Sequence, residues 1–92
     1  MPDEMIYLRN ALSARDISWV NCSDNLDRSF PFLNLIIYRT RWEHNGHIYS
    51  VRCGLGSLGG DKGLLELTVD DELPVGSLTA VDIIRRMEEN DD

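Results

Sequence analysis

The chain has 92 residues, 42% of them hydrophobic and 27% charged, which fits one globular domain over residues 1–92. The longest apolar run covers only residues 35–38, which excludes a transmembrane helix. The polar N-terminus indicates that no secretory signal is present. The two cysteines, Cys22 and Cys53, are too few for a disulfide scaffold. The formal net charge of −7 argues against direct nucleic-acid binding, because phosphate contacts need lysine and arginine. We therefore expect a cytoplasmic protein that binds neither membranes nor nucleic acid.

The N-terminal segment predicts a helix over Asp3–Ala14, because Met5, Leu8 and Leu12 recur at helical spacing. Asp3 is positioned to cap this helix. The β-branched and aromatic residues 17–20 favour a short strand. The polar residues that follow predict a loop over residues 21–32, which ends in Phe30-Pro31-Phe32.

Residues 33–42 and 47–53 predict the two strands of an antiparallel hairpin. The dipeptide Asn45-Gly46 between them is the strongest short-range hairpin signal, because a type I′ turn needs positive φ at both central positions. This turn places Trp42 opposite Tyr49. The resulting apolar face consists of Tyr38, Trp42, Tyr49, Val51 and Cys53. The opposite face is polar and basic and consists of Arg39, Arg41, Ser50 and Arg52. Such a separation is typical of a hairpin that is buried on one side.

The last third of the chain predicts a strand, a loop and a helix. Residues 64–69 alternate between apolar and polar side chains, and residues 70–77 contain the loop-forming Pro74 and Gly76. Thr79 is expected to cap a helix over Ala80–Glu89, with Asp82 in the capping-box position. The side chains expected to face the sheet are Val81, Ile84 and Met87, with Ala80 and Ile83 nearby.

These elements predict the α+β class. We expect an N-terminal helix, a three- to four-stranded and mostly antiparallel sheet, and a C-terminal helix, with both helices packed on one face of the sheet.

A glycine-rich segment lies between the second and third long strands. Gly54, Gly56 and Gly59 match the G-x-G-x-x-G pattern, but a dinucleotide fingerprint must open a helix, whereas a strand follows here. The segment is therefore either a mobile or bulged connection, or a nest of backbone amides that binds a nucleotide or another phosphate-bearing ligand. The residues of this second interpretation are Gly54, Gly56, Gly59, Gly60 and Lys62.

The charged residues indicate where a partner protein binds. Residues 61–92 hold ten acidic and three basic residues, so the whole negative excess lies there. Arg39 opposite Arg52 is a repulsive pair that folding does not need, so it is either neutralised by Glu66 or free to bind a carboxylate- or phosphate-bearing partner. We expect the arginines on one face and the acidic residues over much of the remaining surface. The predicted partner-binding residues are Arg39, Arg41, Arg52, Asp70, Asp71 and Glu72.

No residue spacing indicates an enzyme. His44 and His47 face each other across the hairpin turn, but two ligands do not make a dedicated metal site, and Cys53 is too far along its strand to join them. Neither a Ser/His/Asp arrangement nor a carboxylate pair is identifiable, so we predict no catalytic residues, no metal and no cofactor.

Two segments resemble small accessory proteins of bacterial phages and prophages. The first runs from Tyr38-Arg-Thr-Arg-Trp-Glu-His-Asn-Gly-His to Gly63-Leu-Leu-Glu-Leu, and the second is Pro74-Val-Gly-Ser-Leu-Thr-Ala. The resemblance covers about residues 38–84 and transfers no site residue. It implies a short acidic protein that acts by binding, as an inhibitor or adaptor of a bacterial protein complex such as a host defence system. The target complex could be one that handles nucleic acid. The sequence leaves open whether this chain forms a homo-oligomer.

Overall fold

The structure, a computed structural model, describes residues 1–25, 36–54 and 57–90. The two helices are α1 (Asp3–Ala14) and α2 (Ala80–Glu89). The strands are β1 (Trp19–Asn21), β2 (Asp24–Asn25), β3 (Ile36–His44), β4 (His47–Cys53), β5 (Leu65–Val69) and β6 (Val75–Leu78). Within the described residues they form one antiparallel sheet in the order β1-β3-β4-β5-β6, and the two-residue β2 also pairs with β3.

This architecture confirms the predicted α+β class, although five strands lie along the sheet in the described part of the chain, where three to four were expected. Strand β2 lies within the segment that was predicted to be a loop. The predicted Phe30-Pro31-Phe32 loop end, and residues 33–35 of the predicted strand, lie outside the described residues.

The β3–β4 hairpin has the predicted register. Asn45 and Gly46 have φ angles of 54° and 81°, as a type I′ turn requires. Trp42 lies opposite Tyr49, and their rings stack with centroids 5.3 Å apart. Because successive side chains point to opposite faces of a strand, this register places the aromatic residues on the buried face and the arginines on the other.

The core lies between one face of the sheet and the two helices. The hydrophobic residues that are 0% exposed come from α1, from β4 and β5, and from α2: Met5, Leu8, Leu12, Tyr49, Val51, Leu65 and Ile83. A hydrogen bond from the Ala80 amide to the Glu4 carboxylate, 2.7 Å long, joins the start of α2 to α1. Both helices therefore cover the same face of the sheet, which leaves the opposite face to the solvent.

The two helices begin differently. The predicted cap at Asp3 is wrong, because Pro2 occupies the N-cap position, makes no side-chain cap hydrogen bond, and leaves Asp3 inside the first turn. Pro2 supplies the entry conformation through its fixed φ of −59°. The α2 capping box is confirmed: the Thr79 hydroxyl accepts from the Asp82 amide, and the Asp82 carboxylate accepts from the Thr79 amide.

Two predictions in the last third are wrong. Residues 70–77 are not all loop, because β6 begins at Val75, directly after Pro74. Proline is tolerated there because β6 lies at the edge of the described sheet and pairs with β5 alone, so fewer amides on this strand have to donate hydrogen bonds. Val81 does not face the sheet but is 65% exposed, while Ile83 is fully buried. The buried stripe of α2 is centred on Ala80, Ile83, Ile84 and Met87, and Val81 lies about 100° around the helix from Ala80.

Candidate partner-binding face

The outer sheet face is the surface of β3, β4 and β5 that points away from the helices. Its side chains come from Arg39, Arg41, Ser50, Arg52, Glu66 and Thr68. The strand registers place Arg39 opposite Arg52 and Arg41 opposite Ser50. They continue across the sheet from Ser50 to Thr68 and from Arg52 to Glu66. The three arginines predicted to bind a partner are thus brought together on one side of the sheet.

Two adjoining grooves run over this face, with volumes of about 270 Å³ and about 350 Å³. Both are lined by Arg39, Ser50, Thr68 and Asp71. Arg41 lines the first groove, and Glu72 lines the second. The acidic residues Asp71 and Glu72 therefore border the same surface as the arginines, instead of lying apart from it as the sequence had suggested.

Arg52 is bound within the chain. Its Nε lies 2.7 Å from a carboxylate oxygen of Glu66, whose side chain is only 2% exposed. The other carboxylate oxygen of Glu66 accepts a 2.6 Å hydrogen bond from the Leu58 amide. Of the two interpretations of the arginine pair, neutralisation by Glu66 applies to Arg52. The role of Arg52 in partner binding stays a prediction: its Nε is bound to Glu66, while the side chain is 37% exposed and lines the second groove.

Arg39 and Arg41 differ from Arg52 in this respect. Neither side chain has an ion-pair partner within residues 1–25, 36–54 and 57–90. Arg41 is exposed and Arg39 is half-buried. Because one residue separates Arg39 from Arg41 on β3, their side chains leave the strand on the same face, from backbone positions roughly 7 Å apart. Two forked donors are thus presented side by side at the grooves of this face.

The loop residue Asp70 serves the fold. Its carboxylate lies 2.6 Å from Nδ1 of His47 and accepts a 2.8 Å hydrogen bond from the Ile48 amide. The hydrogen bond to His47, and then the one from Ile48, hold the pKa of Asp70 below its ordinary value. Asp70 thus anchors the β5–β6 loop to β4, and this anchoring positions Asp71 and Glu72 at the grooves.

The His47 and Asp70 pair borders a separate cleft of about 310 Å³ between β4, the β5–β6 loop and α2. No serine, threonine, cysteine or lysine is among the described residues that line it, so the chain supplies no hydroxyl, thiol or amine nucleophile to the pair there. In the part of the chain that the structure describes, no three His, Cys, Asp or Glu side chains are grouped to hold a metal ion. Nothing in this cleft indicates catalysis.

Most of the amides in the described part of the glycine-rich segment already donate to acceptors of the chain itself. Two anchor it at its start: Gly54 donates to the Ser57 hydroxyl, and Leu58 donates to Glu66. The other amides that donate to backbone carbonyls are those of Ser57, Gly60, Lys62, Gly63 and Leu64. A phosphate-binding nest needs amides that converge on an external anion, so these contacts favour a structural role for the segment.

Close packing explains why glycine is needed here. A Cβ at Gly59 would lie 2.7 Å from the Ser77 Cα, and a Cβ at Gly76 would collide with the Leu58 side chain. The Ser77 amide donates to the Leu58 carbonyl at 3.0 Å, so the segment lies against β6. Lys62 ends a short 3-10 helix over Gly60–Lys62 and is exposed, while Gly56 lies outside the described residues.

Arg9 is a buried residue that the sequence analysis did not identify. It is 9% exposed, and its guanidinium donates to the Thr40 hydroxyl at 2.7 Å and to the Arg39 carbonyl at 3.3 Å. It also lies 4.8 Å from the centre of the Trp19 ring. Burial lowers the pKa of Arg9. The sequence feature that could have indicated this contact is Thr40, a polar residue at an inward position of β3, because a buried hydroxyl needs a hydrogen-bond partner in the core.

Comparison with known proteins gives no matching family, no matching curated protein and no matching solved structure. Among the described residues, neither helix has the length and apolar character needed to span a membrane.

Proposed function

We propose that this protein is a non-enzymatic binding protein that contacts a partner protein through its outer sheet face. One observation carries the proposal: Arg39 and Arg41 project side by side from β3 without an ion-pair partner in the described residues, although the chain as a whole is strongly acidic. Arginine is enriched at protein interfaces because its planar group can bind carboxylates in two places at once.

The acidic residues beside the arginines favour a protein over a nucleic acid as the partner. Asp71 lines both grooves together with Arg39, and Glu72 lines one of them. A nucleic-acid backbone would bring phosphates close to these carboxylates, whereas a protein can present a carboxylate to the arginines and a basic side chain to Asp71. The face suits a partner segment of mixed charge.

The biological role that we propose is inhibition or redirection of a bacterial protein complex. It is supported by the resemblance of residues 38–84 to phage accessory proteins and by the small size and acidity of the chain. Where the target handles nucleic acid, Asp71 and Glu72 would occupy the place of phosphates on its basic surface.

Affinity capture from a bacterial lysate, followed by binding measurements with the purified partner, tests the proposal. Arg41→Glu is expected to weaken binding by at least ~10-fold, because the new carboxylate would lie against the partner's carboxylate inside the complex and repel it. Lys62→Glu is the matched control, since it makes the same charge change at another exposed site. Arg39→Glu is a second variant on the same face. Arg52→Glu is avoided, because it would place two carboxylates together at Glu66.

Asp71→Asn combined with Glu72→Gln tests the acidic side of the face. Asn is chosen because Asp71 has a φ of 61°, which asparagine tolerates. Equal binding by the Arg41 variant, the acidic-side variant and the unaltered protein, at low and at moderate salt, would contradict the proposal. Loss of binding in Lys62→Glu alone would place the contact at the glycine-rich segment instead.

A further inference from the structure

A second surface lies on the opposite side of the molecule from the outer sheet face. It is a groove of about 290 Å³ between the outward sides of α1 and α2. Its floor is apolar and is formed by Tyr7, Ala11, Val81 and Ile84. Tyr7 is 57% exposed and Val81 is 65% exposed. This is the surface that the sequence analysis had assigned in part to the core, through Val81.

The residues that α2 contributes follow the spacing of a helix-pairing surface. Val81, Ile84, Arg85 and Glu88 are separated by three, four and seven positions, so they form one stripe along the helix. An apolar stripe with charged residues at its margin is the pattern by which helices pack against other helices. The groove is therefore shaped to receive another helix.

The charges at the rim are complementary to a second copy of the same rim. Arg15 pairs with Glu88 at 3.2 Å across the two helices, while Arg85 has no ion-pair partner within the described residues. When α2 packs antiparallel against a second α2 about an axis near residues 84 and 85, each Arg85 lies within about one turn, roughly 6 Å, of the other copy's Glu88. Long arginine and glutamate side chains span that distance.

The local charge also favours self-association at this place. The groove carries Arg15, Arg85 and Glu88, whereas the whole chain has a net charge of −7. Two copies that approach through any more acidic surface repel each other. The rim of the groove holds two positive charges and one negative charge, so apolar area coincides there with a surface far less acidic than the chain as a whole.

We propose that two copies of this chain associate through the groove between α1 and α2, as a two-fold dimer whose axis lies near Ile84 and Arg85, with Val81 inside the interface and Arg85 against the second copy's Glu88. The two outer sheet faces then point away from each other, so the dimer presents two partner-binding faces. This proposal does not depend on what the outer sheet face binds, and it can fail while that function holds.

Sedimentation velocity over the low to high micromolar range tests the dimer with the purified full chain. The weight-average mass is expected to approach twice that of the monomer as the concentration rises. Val81→Glu is expected to raise the dissociation constant by at least ~10-fold, because it places a negative charge in the apolar part of the interface, close to the second copy's Glu88. Val20→Glu is the matched control: Val20 is 61% exposed, nearly as much as Val81, but it lies on β1. Circular dichroism and the melting temperature check that both variants fold.

A charge exchange tests the register. Arg85→Glu and Glu88→Arg are each expected to be monomeric where the unaltered protein is dimeric, since like charges then meet across the axis. An equimolar mixture of the two variants pairs opposite charges at both contacts, and it is expected to dimerise. A monomer at every concentration, equal effects of the Val81 and Val20 variants, or a mixture that stays monomeric would overturn the proposal.

Discussion

Glu66 and Arg52 face each other across β5 and β4, with 2.7 Å between the carboxylate oxygen and Nε, and the Glu66 side chain is only 2% exposed. The second carboxylate oxygen of Glu66 binds the Leu58 amide. One buried acid thus joins the central strands to the glycine-rich segment that lies against β6. Its negative charge also offsets the repulsion between Arg52 and Arg39.

Glu66→Ala is expected to destabilise the fold by about 1.5–3 kcal/mol, because it leaves the Leu58 amide and the Arg52 guanidinium without their acceptor. Chemical denaturation monitored by circular dichroism measures the free energy of unfolding. Glu43→Ala is the control, since Glu43 is exposed on β3 and its loss should change stability by less than about 0.5 kcal/mol. Equal stability of the two variants would contradict the role assigned to Glu66.

Gly46→Val is expected to lower the melting temperature, because valine is strongly disfavoured at a φ of 81°. A Cβ at Gly46 would meet no atom of the more distant chain within 4 Å, so the penalty comes from the local backbone conformation and not from a clash with packed neighbours. Asn45→Gly is the control, because glycine adopts the φ of 54° at that position without strain. An unchanged melting temperature in the valine variant would exclude the type I′ turn.

The contact of Asp70 with His47 and Ile48 predicts a pH dependence. The pKa of Asp70 is lowered in the folded state, so its contribution to stability is present above the pKa of the unfolded chain and is lost as the pH falls through the folded pKa. Asp70→Asn should therefore melt below the unaltered protein at neutral pH, and the difference should shrink below about pH 4. Asp61→Asn, at another exposed aspartate, is the control. A difference that is constant with pH would refute the role of the carboxylate charge.

Nucleotides and inorganic phosphate are expected to leave the melting temperature unchanged, because most amides in the described part of the glycine-rich segment already donate to acceptors of the chain. A ligand that bound only the folded state would raise the melting temperature by mass action. A thermal shift that rises with phosphate concentration and disappears in Lys62→Glu would restore the ligand-binding interpretation of Gly54, Gly59, Gly60 and Lys62.

The local elements of this protein could be predicted from the sequence. Helical spacing predicted α1 over Asp3–Ala14 and α2 over Ala80–Glu89, and Asn45-Gly46 predicted the hairpin register residue by residue. These signals depend on neighbours along the chain, through helix periodicity, capping and the φ preferences of a two-residue turn. The sorting of Arg39 and Arg41 to the face opposite Trp42 follows from that register.

Contacts between distant parts of the chain were decided only by the tertiary structure. Strand β6 forms because β5 offers it a partner, and the exposure of Val81 depends on how α2 is rotated against the sheet. The tertiary structure also decided the hydrogen bond from Arg9 to Thr40 and the position of Asp71 in the same groove as Arg39, since each pair combines residues more than thirty positions apart. Local propensity does not encode such pairings, because packing and burial set them once the sheet and helices have come together.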